Sequence, residues 1–127
     1  HMFVDVRVEA AGEKERLEAA FAALRPTIEG CSIEVRGAIG RPPMPASTST
    51  ELMNVAARCA DDLGLGPIHG VAVGGGSDGN FTAAAGIPTL DGLGAVGSGA
   101  HGETEHVVVS EMPNRAALLA AIITAIA

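Results

Sequence analysis

The chain has 127 residues, a net charge of −7 with histidine neutral, and 47% hydrophobic residues. That is the makeup of a globular protein and not of a disordered one. Its 8 lysines and arginines are scattered along the sequence, so no basic segment is available to follow a phosphate backbone and nucleic acid is not expected as a partner. Cys31 and Cys59 are too few for a cysteine-rich metal site. Their apolar surroundings predict two buried free thiols in a reducing cytoplasm.

His1-Met2 is set aside as the remnant of a tag or cloning site. From Phe3 to Val8 polarity alternates, Leu17, Ala20, Phe21 and Leu24 then recur at helical spacing, and Cys31 to Arg36 alternates again. A strand, a helix and a strand are predicted. Such a unit leaves a sheet edge and one face uncovered, so the chain is expected to be cut from something larger and to pair, as a homodimer or a swapped assembly, through that edge or helix. Gly37 to Pro45 has no usable periodicity and carries prolines unsuited to a helix interior, which makes it a linker.

Thr48 and Glu51 have the spacing of a capping box, and Leu52, Val55, Ala56, Cys59, Ala60 and Leu63 form one apolar stripe that stops at Gly64. Val71 to Val73 is a short apolar strand entering the glycine-rich turn Gly74 to Asn80. A helix from Thr82 to Ala85 follows, closed by Gly86, and then a buried strand from Ile87 to Leu90. A glycine-rich loop runs from Asp91 to Gly102, a strand lies near Glu105 to Val109, and a last helix starts at about Pro113. Its apolar stretch, Ala116 to Ala127, is shorter than the roughly 20 residues that span a bilayer, so it is expected to face the core and no membrane partner is expected. The fold class is α/β, with strands that are apolar runs suited to a sheet covered on both faces.

The turn from Gly74 to Asn80 is the most informative stretch. Consecutive glycines permit backbone that aims amide groups at an anion ahead of a helix, although a tight connection that needs glycine only for packing explains it as well. Two motif readings compete there. Gly74, Gly76 and Gly79 fit a dinucleotide fingerprint, but no second nucleotide half precedes them and no acidic residue stands at the expected offset. Gly75, Ser77 and Gly79 fit a nucleophile elbow, with Asp91 and His101 following in the order of a serine hydrolase triad, yet Ser77-Asp78 is equally explained as a helix cap. His101 lies in Gly97-Ser98-Gly99-Ala100-His101-Gly102, where it has little to pack against; Glu103 and Glu105 are near enough in sequence to orient an imidazole. His69 and His106 are expected at the surface or a sheet edge. A small ligand-binding or dimerising module without catalysis also accommodates these features.

The run Gly74 to Gly94, GGGSDGNFTAAAGIPTLDGLG, followed by Gly-Ala-His101 and Glu105, resembles the C-terminal half of the zinc aminoacylase and carboxypeptidase family, metallopeptidase family M-twenty. The likeness extends upstream through Gly40-Arg41-Pro42-Pro43 into the strand-helix-strand unit and is nearest to the glutamate carboxypeptidase-like branch. It implies that residues 3–37 are part of a lid, or dimerisation, domain, that 38–47 is the linker, and that 48–127 is the C-terminal part of a catalytic α/β domain. It also implies an enzyme that hydrolyses amide bonds of acyl- or peptidyl-amino acids with two zinc ions and a glutamate as general base.

By the same resemblance His101 is the last metal-binding histidine, the loop Gly74, Gly75, Gly76 and Ser77 lines the substrate pocket, and Arg41 grips a substrate carboxylate through two parallel hydrogen bonds. The remaining metal ligands and the general base have no match in these residues, so the chain is expected to be inactive alone. Ala72, where relatives carry an arginine, and Thr104-Glu105, where an Asp-Glu pair is common, depart from the family pattern and bear on the substrate side chain accepted.

Overall fold

The computed structural model describes residues 1–10 and 12–127. Helix α1 (Glu13–Ala22) is followed by an irregular segment, then α2 (Thr50–Asp62), the short α3 (Gly79–Ala84), a two-stranded antiparallel hairpin of β1 (Gly97–Ser98) and β2 (His106–Val107), and α4 (Met112–Ile126). Helices and a small sheet make the chain mixed α/β.

The helix ends follow the sequence pattern because their determinants are local, whereas α3 starts at Gly79, inside the expected turn, and not at Thr82. At the end of α2 the Gly64 φ is +66°, the Leu65 amide donates to the Ala60 carbonyl at 2.9 Å, and the Gly64 amide donates to that of Asp61 at 2.9 Å. This crossed pair is a Schellman motif, and a left-handed residue closes it, which glycine supplies without a Cβ penalty. The same arrangement ends α3, with Gly86 at φ +79°, Ile87 bonded to Thr82 at 3.1 Å and Gly86 to Ala83 at 3.0 Å.

The start of α2 departs from the expected capping box. A 3-10 turn over Ala46–Thr48 precedes the helix, the Thr48 hydroxyl donates back to the Pro45 carbonyl at 2.7 Å, and Ser49 occupies the cap position without a side-chain cap bond. The turn itself satisfies amides of the entry: those of Thr48 and Ser49 donate to Pro45 and Ala46, each at 3.0 Å. The first turn of α2 itself, from Thr50, receives no side-chain cap.

The buried core lies between α2 and α4. Ala56, Cys59 and Ala60 of α2 meet Leu118 and Ile122 of α4, with Leu65, Ile68, Leu90 and Leu93 packed around them. Small residues on α2 let the branched side chains of α4 approach closely. Arg115 of α4 donates to the carbonyls of Gly94 and Gly92 at 2.8 and 2.7 Å, which fastens the loop after Leu90 to this helix. Together with the 3-10 turn before it, α4 gives a helical stretch Val109–Ile126 of 18 residues, long and apolar enough by length and composition to cross a membrane. That is longer than the apolar run seen in the sequence. Burial of Leu118 and Ile122 gives the helix a core contact of its own.

The expected strands at Phe3–Val8, Cys31–Arg36, Val71–Val73 and Ile87–Leu90 do not form; among the described residues the hairpin is the only sheet. A strand exists through its ladder partner, and these segments have none. Many of their apolar side chains stay uncovered, with Phe3 100%, Val71 81% and Val73 75% exposed, although Leu90 packs against the core. Cys31 is exposed for the same reason, contrary to expectation, whereas Cys59 is buried and both thiols are free. Among the described residues the two-stranded hairpin is not a sheet covered by helices on both faces. Leu118 is 2% exposed at the centre of the small core. Its replacement by alanine is expected to cost about 2–5 kcal/mol, a large share of a small domain's stability. Urea unfolding followed by circular dichroism checks this, and a loss below about 1 kcal/mol would show that the α2–α4 contact does not hold the chain together.

Candidate functional site

The glycine-rich turn and the linker arginine, far apart in sequence, are brought together. Arg41 lies across Gly76 so closely that a Cβ built there would stand 2.5 Å from Arg41 Cδ and 3.0 Å from its Nη1. A side chain at this point would push the Arg41 side chain aside, whereas the backbone makes no demand for glycine, since Gly76 is not among the positive-φ residues. The guanidinium also stacks on Phe81, with Cζ 5.3 Å from the ring centroid, a cation–π contact worth about 0.5–1 kcal/mol at an exposed site.

Asn80 joins the two elements. Its Nδ2 donates to the Pro42 carbonyl at 2.8 Å, and its Oδ1 accepts the Ser77 amide at 2.8 Å. Arg7 adds a further contact to the turn, donating to the Gly74 carbonyl at 2.8 Å while its other nitrogen pairs with Asp5 at 3.1 Å. Among the described residues the amides of Gly74, Gly75 and Gly76 donate no hydrogen bond, whereas that of Ser77 is taken by Asn80. Three adjacent donors beside a guanidinium suit an anion. A carboxylate can accept two parallel bonds from arginine while backbone amides reach it from the side. Helix α3 has 6 residues, so the donors lie in the turn and the helix adds little.

Ser77 and Asp91 are neighbours. The Ser77 hydroxyl, and after it the Gly92 amide at 2.7 Å from Oδ1, hold the Asp91 carboxyl below its ordinary value. The same Ser77 oxygen accepts the Gly79 amide at 3.1 Å. The oxygen thus serves the turn while the hydroxyl borders a carboxylate. Among the described residues no hydrogen bond joins His101 to Ser77 or Asp91, so the imidazole that a Ser-His-Asp triad uses as general base is not in place.

His101 stands elsewhere, at the tip of the β1–β2 hairpin. Gly102 donates to Gly99 at 2.8 Å across Ala100-His101, and His101 has φ +65°, alone among the described non-glycine residues in that region. A turn with positive φ at its third residue is the type II pattern, which ordinarily places glycine or asparagine there. Histidine tolerates the left-handed region better than most residues, but it is held there at a cost. Among the described residues the exposed imidazole has no hydrogen-bond partner. His106, on β2, is bonded instead to the Thr104 carbonyl at 2.9 Å and lies 3.4 Å from Ser98 Oγ, which makes it a hairpin residue as expected.

The donor set does not form a metal site by itself: among the described residues no three His, Cys, Asp or Glu lie together as a group able to hold an ion. A catalytic zinc takes three protein ligands, so His101 supplies at most one of them. Sequence reasoning missed Asn80, Phe81 and Arg7. Phe81 had a signal, being one of 3 aromatic residues in the chain and placed directly after the glycine-rich turn; Asn80 and Arg7 had none.

The Asp91 shift has a defined sign. A carboxyl whose folded value is depressed contributes its stabilisation above the unfolded value and loses it as pH falls through the depressed one. Ser77→Ala is expected to raise the Asp91 titration toward the ordinary carboxylate range, read from its carboxyl carbon by NMR. An unchanged titration would break the Ser77–Asp91 link.

Comparison with known proteins places the chain by its sequence. Residues 3–125 match the family described as Peptidase family M20/M25/M40. No curated protein and no solved structure matches. A match over nearly the whole length, carried through the linker arginine, the glycine-rich turn and the histidine loop, identifies the chain as a member of the Peptidase family M20/M25/M40.

Proposed function

We propose that this chain is the substrate-carboxylate side of a two-zinc hydrolase that cleaves amide bonds of acyl- or peptidyl-amino acids, in the manner of the glutamate carboxypeptidase-like branch. One observation carries the reading: Arg41 is laid over Gly76 and Phe81, beside the free amides of Gly74, Gly75 and Gly76. A free α-carboxylate is what an amino-acid product or a C-terminal residue presents, and fixed donors recognise it without reorganisation.

In this reading His101 is one metal ligand, and the other ligands with the general-base glutamate come from chain outside residues 1–127. The left-handed backbone of His101 supports a role for the residue beyond folding, because glycine would fill the turn with less strain. The domain assignment follows, with residues 3–37 in a lid, 38–47 as linker and 48–127 in the catalytic domain. The unpaired segments Phe3–Val8 and Val71–Val73 support a further proposal, that they take ladder partners from that additional chain and from a second subunit, as a homodimer in the cytoplasm.

The test compares two proteins, both supplied with zinc. The 127-residue chain is expected to show no chelator-sensitive hydrolysis of an N-acyl-glutamate. The longer gene product is expected to hydrolyse it, and His101→Gly, which suits the turn and removes the imidazole, is expected to lower that rate about a hundredfold or more, since loss even of a group that only supports a metal ligand costs about 10–100-fold. Chelator-resistant hydrolysis with a fluorophosphonate label on Ser77 would overturn the metal reading in favour of a serine hydrolase.

A further inference from the structure

The linker from Gly37 to Pro45 has no regular structure, so nothing in its own backbone fixes the direction of Arg41. The fixing contact comes from the turn. Asn80 is half-buried and spends both ends of its amide, one on the Pro42 carbonyl and one on the Ser77 amide, each at 2.8 Å. The carbonyl it holds belongs to the residue directly after Arg41. Its orientation is determined by its partners: with oxygen and nitrogen exchanged, the side chain would set two acceptors against each other at Pro42 and two donors at Ser77.

We propose that Asn80 is a positioning residue that holds Arg41 in register with the Gly74–Ser77 turn; its value for substrate binding rests on the carboxylate reading above. Asparagine suits the position because one short side chain must donate to the linker and accept from the turn. Glutamine is a methylene too long for the same two bonds. Aspartate keeps the acceptor for Ser77 and sets a carboxylate oxygen against the Pro42 carbonyl. Asn80→Asp therefore releases the linker and leaves the turn capped, separating a positioning role from a purely structural one.

The experiment uses NMR of the whole chain. In the wild type the Arg41 side-chain protons, lying over Phe81, are displaced upfield by the ring. Asn80→Asp is expected to abolish most of that displacement while the Ser77 amide keeps its slow exchange, and to raise the dissociation constant of N-acetyl-L-glutamate about tenfold, the scale of one hydrogen bond's net contribution. Unmoved Arg41 protons in the variant would overturn the proposal, and so would equal affinity of the two proteins. Displaced Arg41 protons with no binding in either protein would uphold the positioning and sink the carboxylate reading. Should the variant unfold, slow exchange of the Asn80 side-chain amide protons in the wild type supports the bridge, and solvent-like exchange refutes it.

Discussion

Leu118 and Ile122 reach across to Ala56, Cys59 and Ala60, and what the chain buries deeply is nearly confined to that contact. The small residues of α2 set the approach of the two helices, Leu65 and Ile68 close one end, and Leu90 and Leu93 close the side. The rest hangs from it in a definite order. Arg115 ties the loop at Gly92 and Gly94 to α4, the Thr89 amide bonds the Thr48 carbonyl at 3.0 Å at the entry to α2, and the Thr82 and Thr89 hydroxyls meet at 2.8 Å to seat α3. The turn before α3 is thereby set against the helical core, and the linker is seated on the turn.

A scaffold with so little buried area gains modest hydrophobic stabilisation, and much of its apolar surface remains in water. The uncovered residues are not scattered singly. Phe3, Val4, Ile33, Val35, Val71, Val73 and Ile87 lie in segments with strand patterns, where they stand without a ladder, and others lie along α4 and around the hairpin. Exposed strand-forming sequence of this kind invites pairing with further chain.

What the sequence made legible follows the range of the interaction that decides it. The stops of α2 and α3 at Gly64 and Gly86 were readable because a left-handed residue after a helix depends on a few neighbours. The stripe on α2 was readable because its period is intrinsic, although Leu63 ended up exposed at the helix end. The capping box did not form because a 3-10 turn ahead of α2 takes the Thr48 amide and the Thr48 hydroxyl turns back to the Pro45 carbonyl. The strands failed since alternation signals a face, whereas a strand needs a partner that spacing does not name. At the site, the types of Arg41, the glycines and His101 pointed to chemistry. That Arg41 would rest on Gly76, and that Asn80 would span both elements, depends on contacts across 35 or more positions, which no local pattern encodes.

Membership of the Peptidase family M20/M25/M40 makes a hydrolase the setting for these contacts. Reception of a substrate carboxylate by the turn and Arg41 is the central proposal. The most direct measurement is an amide NMR titration of the chain with N-acetyl-L-glutamate. Saturable shifts concentrated at Gly74, Gly75, Gly76 and the Arg41 guanidinium, absent when the carboxylates are replaced by amides, are the predicted result. Shifts scattered over the surface, or unchanged by that replacement, would contradict it.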